Sequence, residues 1–199
     1  MKTKIKCIFS VLFLILGMPL VARATLVDSN SIIRDGIEYY IQTDKSVYDL
    51  GEDVEILFRI TNLRDEQWDV IALGPVKDIS IVGKTDEISY EIWRWSWLNP
   101  PPPGPMVLRL EAGESKEFHK TWAQIDAKGT WDLGDDTPVP PGTYWISGIV
   151  QGHGGYDPPK RIDEFVSINI TIVPEPSAVA FFGFSLSILF HLRERPKRK

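Results

Sequence analysis

The chain predicts an all-β protein of two antiparallel sheets packed face to face, and three observations carry that expectation. Apolar residues alternate with polar ones: Val54, Ile56, Phe58 and Ile60 stand against Glu55, Arg59 and Thr61, and Val166, Ile168, Ile170 and Ile172 stand against Ser167, Asn169 and Thr171. That period of two gives a half-buried strand. Turn-forming clusters at 49–52, 62–66, 111–114 and 140–142 punctuate the alternation. No long 3.6-residue periodicity intervenes between them.

In chain order the pattern predicts strands at 37–43, 54–61, 68–72, 78–82, 89–95, 106–110, 116–122, 142–150 and 165–173. Short strands at regular spacing without intervening helices define an immunoglobulin-like antiparallel β-sandwich over residues 37–172. Residues 25–36 read as a polar leader, expected to be poorly ordered. Residues 151–164 hold Gly152, Gly154, Gly155, Pro158 and Pro159 and read as a loop before the last strand.

The two ends have a different character. Lys2, Lys4 and Lys6 precede an apolar run from Ile8 to Val21, and Ala22 and Ala24 supply small residues for cleavage before Thr25. Residues 1–24 are therefore read as a secretory signal peptide. The single Cys7 lies inside it, so the exported chain is expected to lack disulfides, cysteine metal ligands and a cysteine nucleophile. At the other end Val173, Pro174, Glu175, Pro176 and Ser177 precede an uncharged stretch, 178–192, and then Arg193, Arg195, Lys197, Arg198 and Lys199. Fifteen residues span roughly 22 Å as a helix, less than the roughly 30 Å of a bilayer core. The five cations orient the C-terminus to the cytoplasm.

This order of parts resembles the PEP-CTERM sorting tail over residues 173–199. The resemblance implies an exosortase-type membrane protease as partner and a passing inner-membrane stage held by the tail as a transmembrane helix. It also implies delivery to the cell surface, the outer membrane or the extracellular matrix.

Charge narrows the partners further. The whole chain carries a net charge of −5, but residues 25–172 hold 13 basic and 25 acidic residues, a net charge of −12. Nucleic acid, which needs a basic footprint, is not an expected partner. The length suits one domain with its own core. All seven Trp and all six Tyr fall within the exported part, so aromatic packing takes the place of a disulfide.

Several residues match a second family. Asn62 follows the first long strand; Tyr90-Glu91-Ile92-Trp93-Arg94-Trp95-Ser96, Leu110-Glu111-Ala112-Gly113-Glu114, Phe118 with Trp122, and Pro141-Gly142-Thr143-Tyr144 come later. Together they resemble the BsuPI-like intracellular proteinase inhibitor family over about residues 45–151. The resemblance implies a β-sandwich and, from the family's founding activity, inhibition of serine proteases.

The candidate sites are read against simpler alternatives. If the strand continues through it, Trp93, Trp95 and Trp97 share one face and form a carbohydrate-stacking platform. The expected arrangement instead packs Trp93 and Trp95 into the core with Arg94 facing outward. Trp97, Leu98, Pro100, Pro101, Pro102 and Pro103 form a candidate binding loop, because successive prolines hold φ near roughly −65° and lose little entropy on binding. A stiff crossing between sheets is the alternative. Asp132, Asp135 and Asp136 lack the spacing of a calcium loop and read as a solvated turn. His119 is expected on the outward face of its strand. No catalytic or metal motif occurs, so neither an enzyme nor a cofactor is expected. The sequence thus points to an exported, noncatalytic surface or matrix protein associated with exopolysaccharide. The alternatives are a secreted or periplasmic serine-protease inhibitor and a carbohydrate-binding module.

Overall fold

The computed structural model describes residues 27–84, 89–127, 137–154 and 160–174. Among them the chain is a β-sandwich built from β1 (Asp28–Arg34), β2 (Ile37–Thr43), β3 (Val47–Asp49), β4 (Val54–Asn62), β5 (Trp68–Ala72), β6 (Lys77–Lys84), β7 (Ser89–Arg94), β8 (Met106–Leu110), β9 (Ser115–Trp122), β10 (Ile125–Asp126), β11 (Thr137–Pro138), β12 (Gly142–Gly154) and β13 (Arg161–Val173). One helical turn, α1 (Trp95–Leu98), follows β7.

The first sheet runs β1-β2-β4-β9 and is antiparallel throughout. The second is organised around β12, whose whole length pairs with β13, from Gly142 opposite Ile172 to His153 opposite Arg161. On its other side β12 divides its partners. Residues Tyr144 to Val150 pair with β6, which carries β7; His153 and Gly154 pair with β5, which carries β8. β3 joins the free edge of β13 in parallel, a departure from a wholly antiparallel sandwich. β10 and β11 form a small separate ribbon.

The alternation read from the sequence is the alternation that buries. Along β4, Val54, Ile56, Phe58 and Ile60 are inside; along β13, Val166, Ile168, Ile170 and Ile172 are inside. Gly148 of β12 faces Phe58 of β4 closely: a Cβ built on Gly148 would lie 2.3 Å from the Phe58 ring. Glycine is therefore required there, because its missing side chain is the space Phe58 occupies.

Three expectations are corrected. Residues 28–34 are not a disordered leader but the edge strand β1, paired with β2 from Asp28 opposite Thr43 to Arg34 opposite Ile37. Its polar composition conceals it because an edge strand buries little; the Asn30 side-chain amide also donates to the Ser167 carbonyl of β13 at 2.9 Å. Within the expected loop at 151–164, residues 151–154 and 161–164 are strand, since β12 runs on to Gly154 and β13 starts at Arg161. The strand at 89–95 stops at Arg94, so Trp93, Trp95 and Trp97 do not share a sheet face.

Among the described residues, no helix is long and apolar enough to cross a membrane. The signal peptide with Ala22 and Ala24, the acidic turn with Asp132, Asp135 and Asp136, and the tail with Glu175, Pro176, Ser177, Arg193, Arg195, Lys197, Arg198 and Lys199 lie outside the described residues.

Candidate functional site

The corner where β7 becomes α1 is held from another strand. Asp78 of β6, whose side chain is wholly buried, accepts the Ser96 N–H at 3.1 Å on Oδ1 and the Ser96 hydroxyl at 2.5 Å on Oδ2. Its Oδ1 also accepts the Ile79 N–H at 2.9 Å. Arg94, at the N-cap position, offers α1 no side-chain acceptor, so Asp78 caps the turn in its place. Arg94 instead donates to Glu91 at 2.9 Å, with Asp78 3.9 Å away, and the Ser80 hydroxyl donates to the same Glu91 oxygen.

Burial pushes the Asp78 carboxyl above its ordinary value, against the lowering by Ser96, Ile79 and Arg94. The sign follows: a carboxyl raised in the folded state stabilises the fold in its protonated form, and that contribution fades as pH rises through the folded value. The wild type is therefore expected to lose stability relative to Asp78→Asn as pH rises above about 4. Urea unfolding of both proteins across the acid range measures it; a difference moving the other way would contradict the raised value.

Beside this corner the seam between the sheets opens into a cleft of about 100 Å³, lined by Phe58, Lys77, Asp78, Ile79, Trp95, Phe118 and Lys120. Four elements build it. β4 contributes Phe58, β6 contributes Lys77 to Ile79, α1 contributes Trp95, and the edge strand β9 contributes Phe118 and Lys120. On β9, Lys116, Phe118, Lys120 and Trp122 turn toward the interior, while Ser115, Glu117, His119 and Thr121 are exposed. Cations on the inward side of an edge strand also oppose pairing with another chain.

The two lysines cover aromatic rings. The Lys77 ammonium stands 3.4 Å from the Phe118 ring centre, and that of Lys120 stands 4.4 Å from the Trp95 ring centre. Phe118 in turn packs on Phe58 with centroids 6.1 Å apart. Lysine ion pairs among the described residues join Lys45 to Glu52, Lys116 to Glu114 and Lys160 to Asp35; Lys77 and Lys120 take part in none. Burial, followed by the nearby charges of Lys116 and Lys120, lowers the Lys77 pKa from its ordinary value. The cleft thus combines apolar walls with two lysines that have no ion-pair partner among the described residues.

The remaining predicted residues are dispersed. Trp93 is buried opposite Ile81, whereas Trp95 and Leu98 are half-buried against the core and Trp97 is half-buried within α1. Pro100, Pro102 and Pro103 are exposed and Pro101 is half-buried, so the loop starts one turn from the cleft without lining it. Gly113, at φ +74°, turns the β8–β9 crossing, where its N–H donates to the Asn62 carbonyl. Trp122 and Tyr144 meet edge to face in the core, and Gly142 starts β12. Burial pushes the Tyr144 phenol up to about 12, and its hydroxyl donates to the Pro140 carbonyl. His119 is exposed beside Glu117. Val173 ends β13, its carbonyl accepting the Leu50 N–H at 3.0 Å, and Pro174 is exposed beyond it.

Lys77, Asp78 and Lys120 were absent from the candidates read in the sequence. The alternation of Lys116 and Lys120 with Phe118 and Trp122 was a usable signal, since it turns two cations inward. Nothing local marked Lys77 or Asp78.

Fold and cleft together define an all-β sandwich protein with a small apolar recess lined in part by two lysines. No family model matches the chain, and no curated protein does. Among solved structures it is similar to the C-terminal domain of Wzt at 12% identity and a TM-score of 0.42, over 73% of this chain and 78% of that one. It is also similar to Spo0M, the sporulation control protein of Bacillus subtilis, at 15% identity and a TM-score of 0.39, over 73% of this chain and 49% of that one. A β-glucosidase from Listeria innocua matches at 10% identity and a TM-score of 0.38, over 75% of this chain but only 16% of the glucosidase. At this level of likeness none bears on what the chain binds or does.

Proposed function

We propose that this is an exported, noncatalytic surface or matrix protein, delivered through its C-terminal tail by an exosortase-type protease and associated with exopolysaccharide. One observation carries the reading. β13, the last strand among the described residues, is hydrogen-bonded up to the Val173 carbonyl, and the Pro-Glu-Pro motif starts at the next residue. The motif thus begins just beyond β13, so a cut there would cost the sheets none of the described strands. A second reading, serine-protease inhibition through the proline loop, draws support from the exposure of Pro100, Pro102 and Pro103.

Intact mass of the protein from fractionated producing cells tests both. A species starting at Thr25 and ending between Pro174 and Ser177, outside the inner membrane, is the expected result. An uncut tail retained in the inner membrane would overturn sorting and favour a periplasmic inhibitor.

A further inference from the structure

We propose that the cleft between β6, β9 and α1 is a binding site for a ring-bearing carboxylate, seated on Phe58, Phe118 and Trp95 with its anionic head between Lys77 and Lys120. The inference goes beyond the sorting of the chain and does not depend on whether the tail is cut.

Size and charge both lead to it. Enclosed apolar cavities of about 150 Å³ hold one benzene ring. A half-open recess of about 100 Å³ with aromatic walls holds a ring in part and leaves its substituent at the mouth. Two ammonium groups of the lining stand over the Phe118 and Trp95 rings. In a region carrying a net charge of −12, carboxylates are abundant, yet neither lysine is paired with one among the described residues. Asp78, the acid nearest in the lining, is committed to Ser96. Lys77 is crowded by Lys116 and Lys120 and half-buried, so a bound anion relieves a repulsion that no acid among the described residues offsets by pairing with it. A neutral ring forgoes that gain, and a bare anion forgoes the apolar contact with the walls.

The same chemistry is offered by a free aromatic acid and by a uronate residue within a polysaccharide. Isothermal titration calorimetry on the full chain separates them, using benzoate, its neutral analogue benzamide, and polygalacturonate. Saturable binding of benzoate, of polygalacturonate or of both is expected, with benzamide at least about tenfold weaker, or about 1.4 kcal/mol. Binding is expected to fall by a similar factor in Lys77→Met and Lys120→Met and to return in Lys77→Arg and Lys120→Arg. Polygalacturonate alone assigns the site to a glycan; benzoate alone assigns it to a free acid.

The site is refuted if neither carboxylate binds the wild type, or if benzamide binds as well as benzoate. It is also refuted if the methionine variants, folded by circular dichroism, bind like wild type. Self-association of those variants in sedimentation, with no carboxylate bound by the wild type, would assign the lysines to guarding the β9 edge instead.

Discussion

Trp122→Ala is expected to lower the stability of the sandwich by about 3–5 kcal/mol, the range for emptying a buried aromatic site. Trp122 ends β9 opposite Val54 and is completely buried. Its indole meets the Tyr144 ring edge to face at 5.7 Å, which joins β9 of one sheet to β12 of the other. The indole N–H donates to the Ile125 carbonyl at 3.0 Å and so fastens the segment after β9. Alanine removes the volume, the ring contact and the donor together. With a typical total stability of about 5–15 kcal/mol, the variant is expected to approach the threshold of folding. Trp122→Phe keeps part of the volume and none of the hydrogen bond, and is expected to fall between. Equilibrium urea unfolding measures both, and a loss below about 1 kcal/mol for the alanine variant would contradict the role assigned to this contact.

Asn62→Ala is expected to cost about 2–4 kcal/mol, because it removes one buried and three part-buried hydrogen bonds to the backbone at once. Asn62 ends β4 and is fully buried at the point where the chain twice changes sheet. Its side-chain NH2 shares its two hydrogens among the carbonyls of Glu66 at 2.8 Å, Leu110 at 3.2 Å and Glu111 at 3.1 Å, and its Oδ1 accepts the Arg64 N–H at 3.1 Å. Its backbone accepts from Gly113 and donates to Glu114, both at 2.9 Å. One residue therefore clamps the crossing from β4 to β5 against the crossing from β8 to β9. Asn62→Asp is expected to fare no better, since an ionised carboxylate has no hydrogen to donate to any of these carbonyls. Hydrogen exchange distinguishes this clamp from a general loss of packing. The amides of Arg64, Gly113 and Glu114 are expected to lose protection before those of the β12–β13 ladder; uniform loss across both sheets would overturn the assignment.

How much of this was legible beforehand depended on whether its cause was local. The strands 37–43 and 68–72 have the bounds that alternation predicts, because a strand with one face on the core repeats every second residue whatever its partner. Asn62, Gly113, Trp122 and Tyr144 could be singled out by resemblance, but not their tasks, because each acts on a residue distant in the chain. β1 escaped notice because the polar Asp28, Ser29, Asn30 and Ser31 have no pattern to repeat, and backbone pairing with β2 makes the strand. α1 escaped because a single helical turn is marginal alone and is capped by Asp78, sixteen positions before Arg94.

The cleft is the extreme case. Phe58, Lys77, Trp95 and Lys120 come from four elements and both sheets, and no spacing in the chain relates them. By itself, then, the sequence determined which residues turn inward along most strands, through a periodicity that is local. Only the tertiary structure decided which strands lie across the seam from one another, because pairing and sheet packing join positions that the chain does not order.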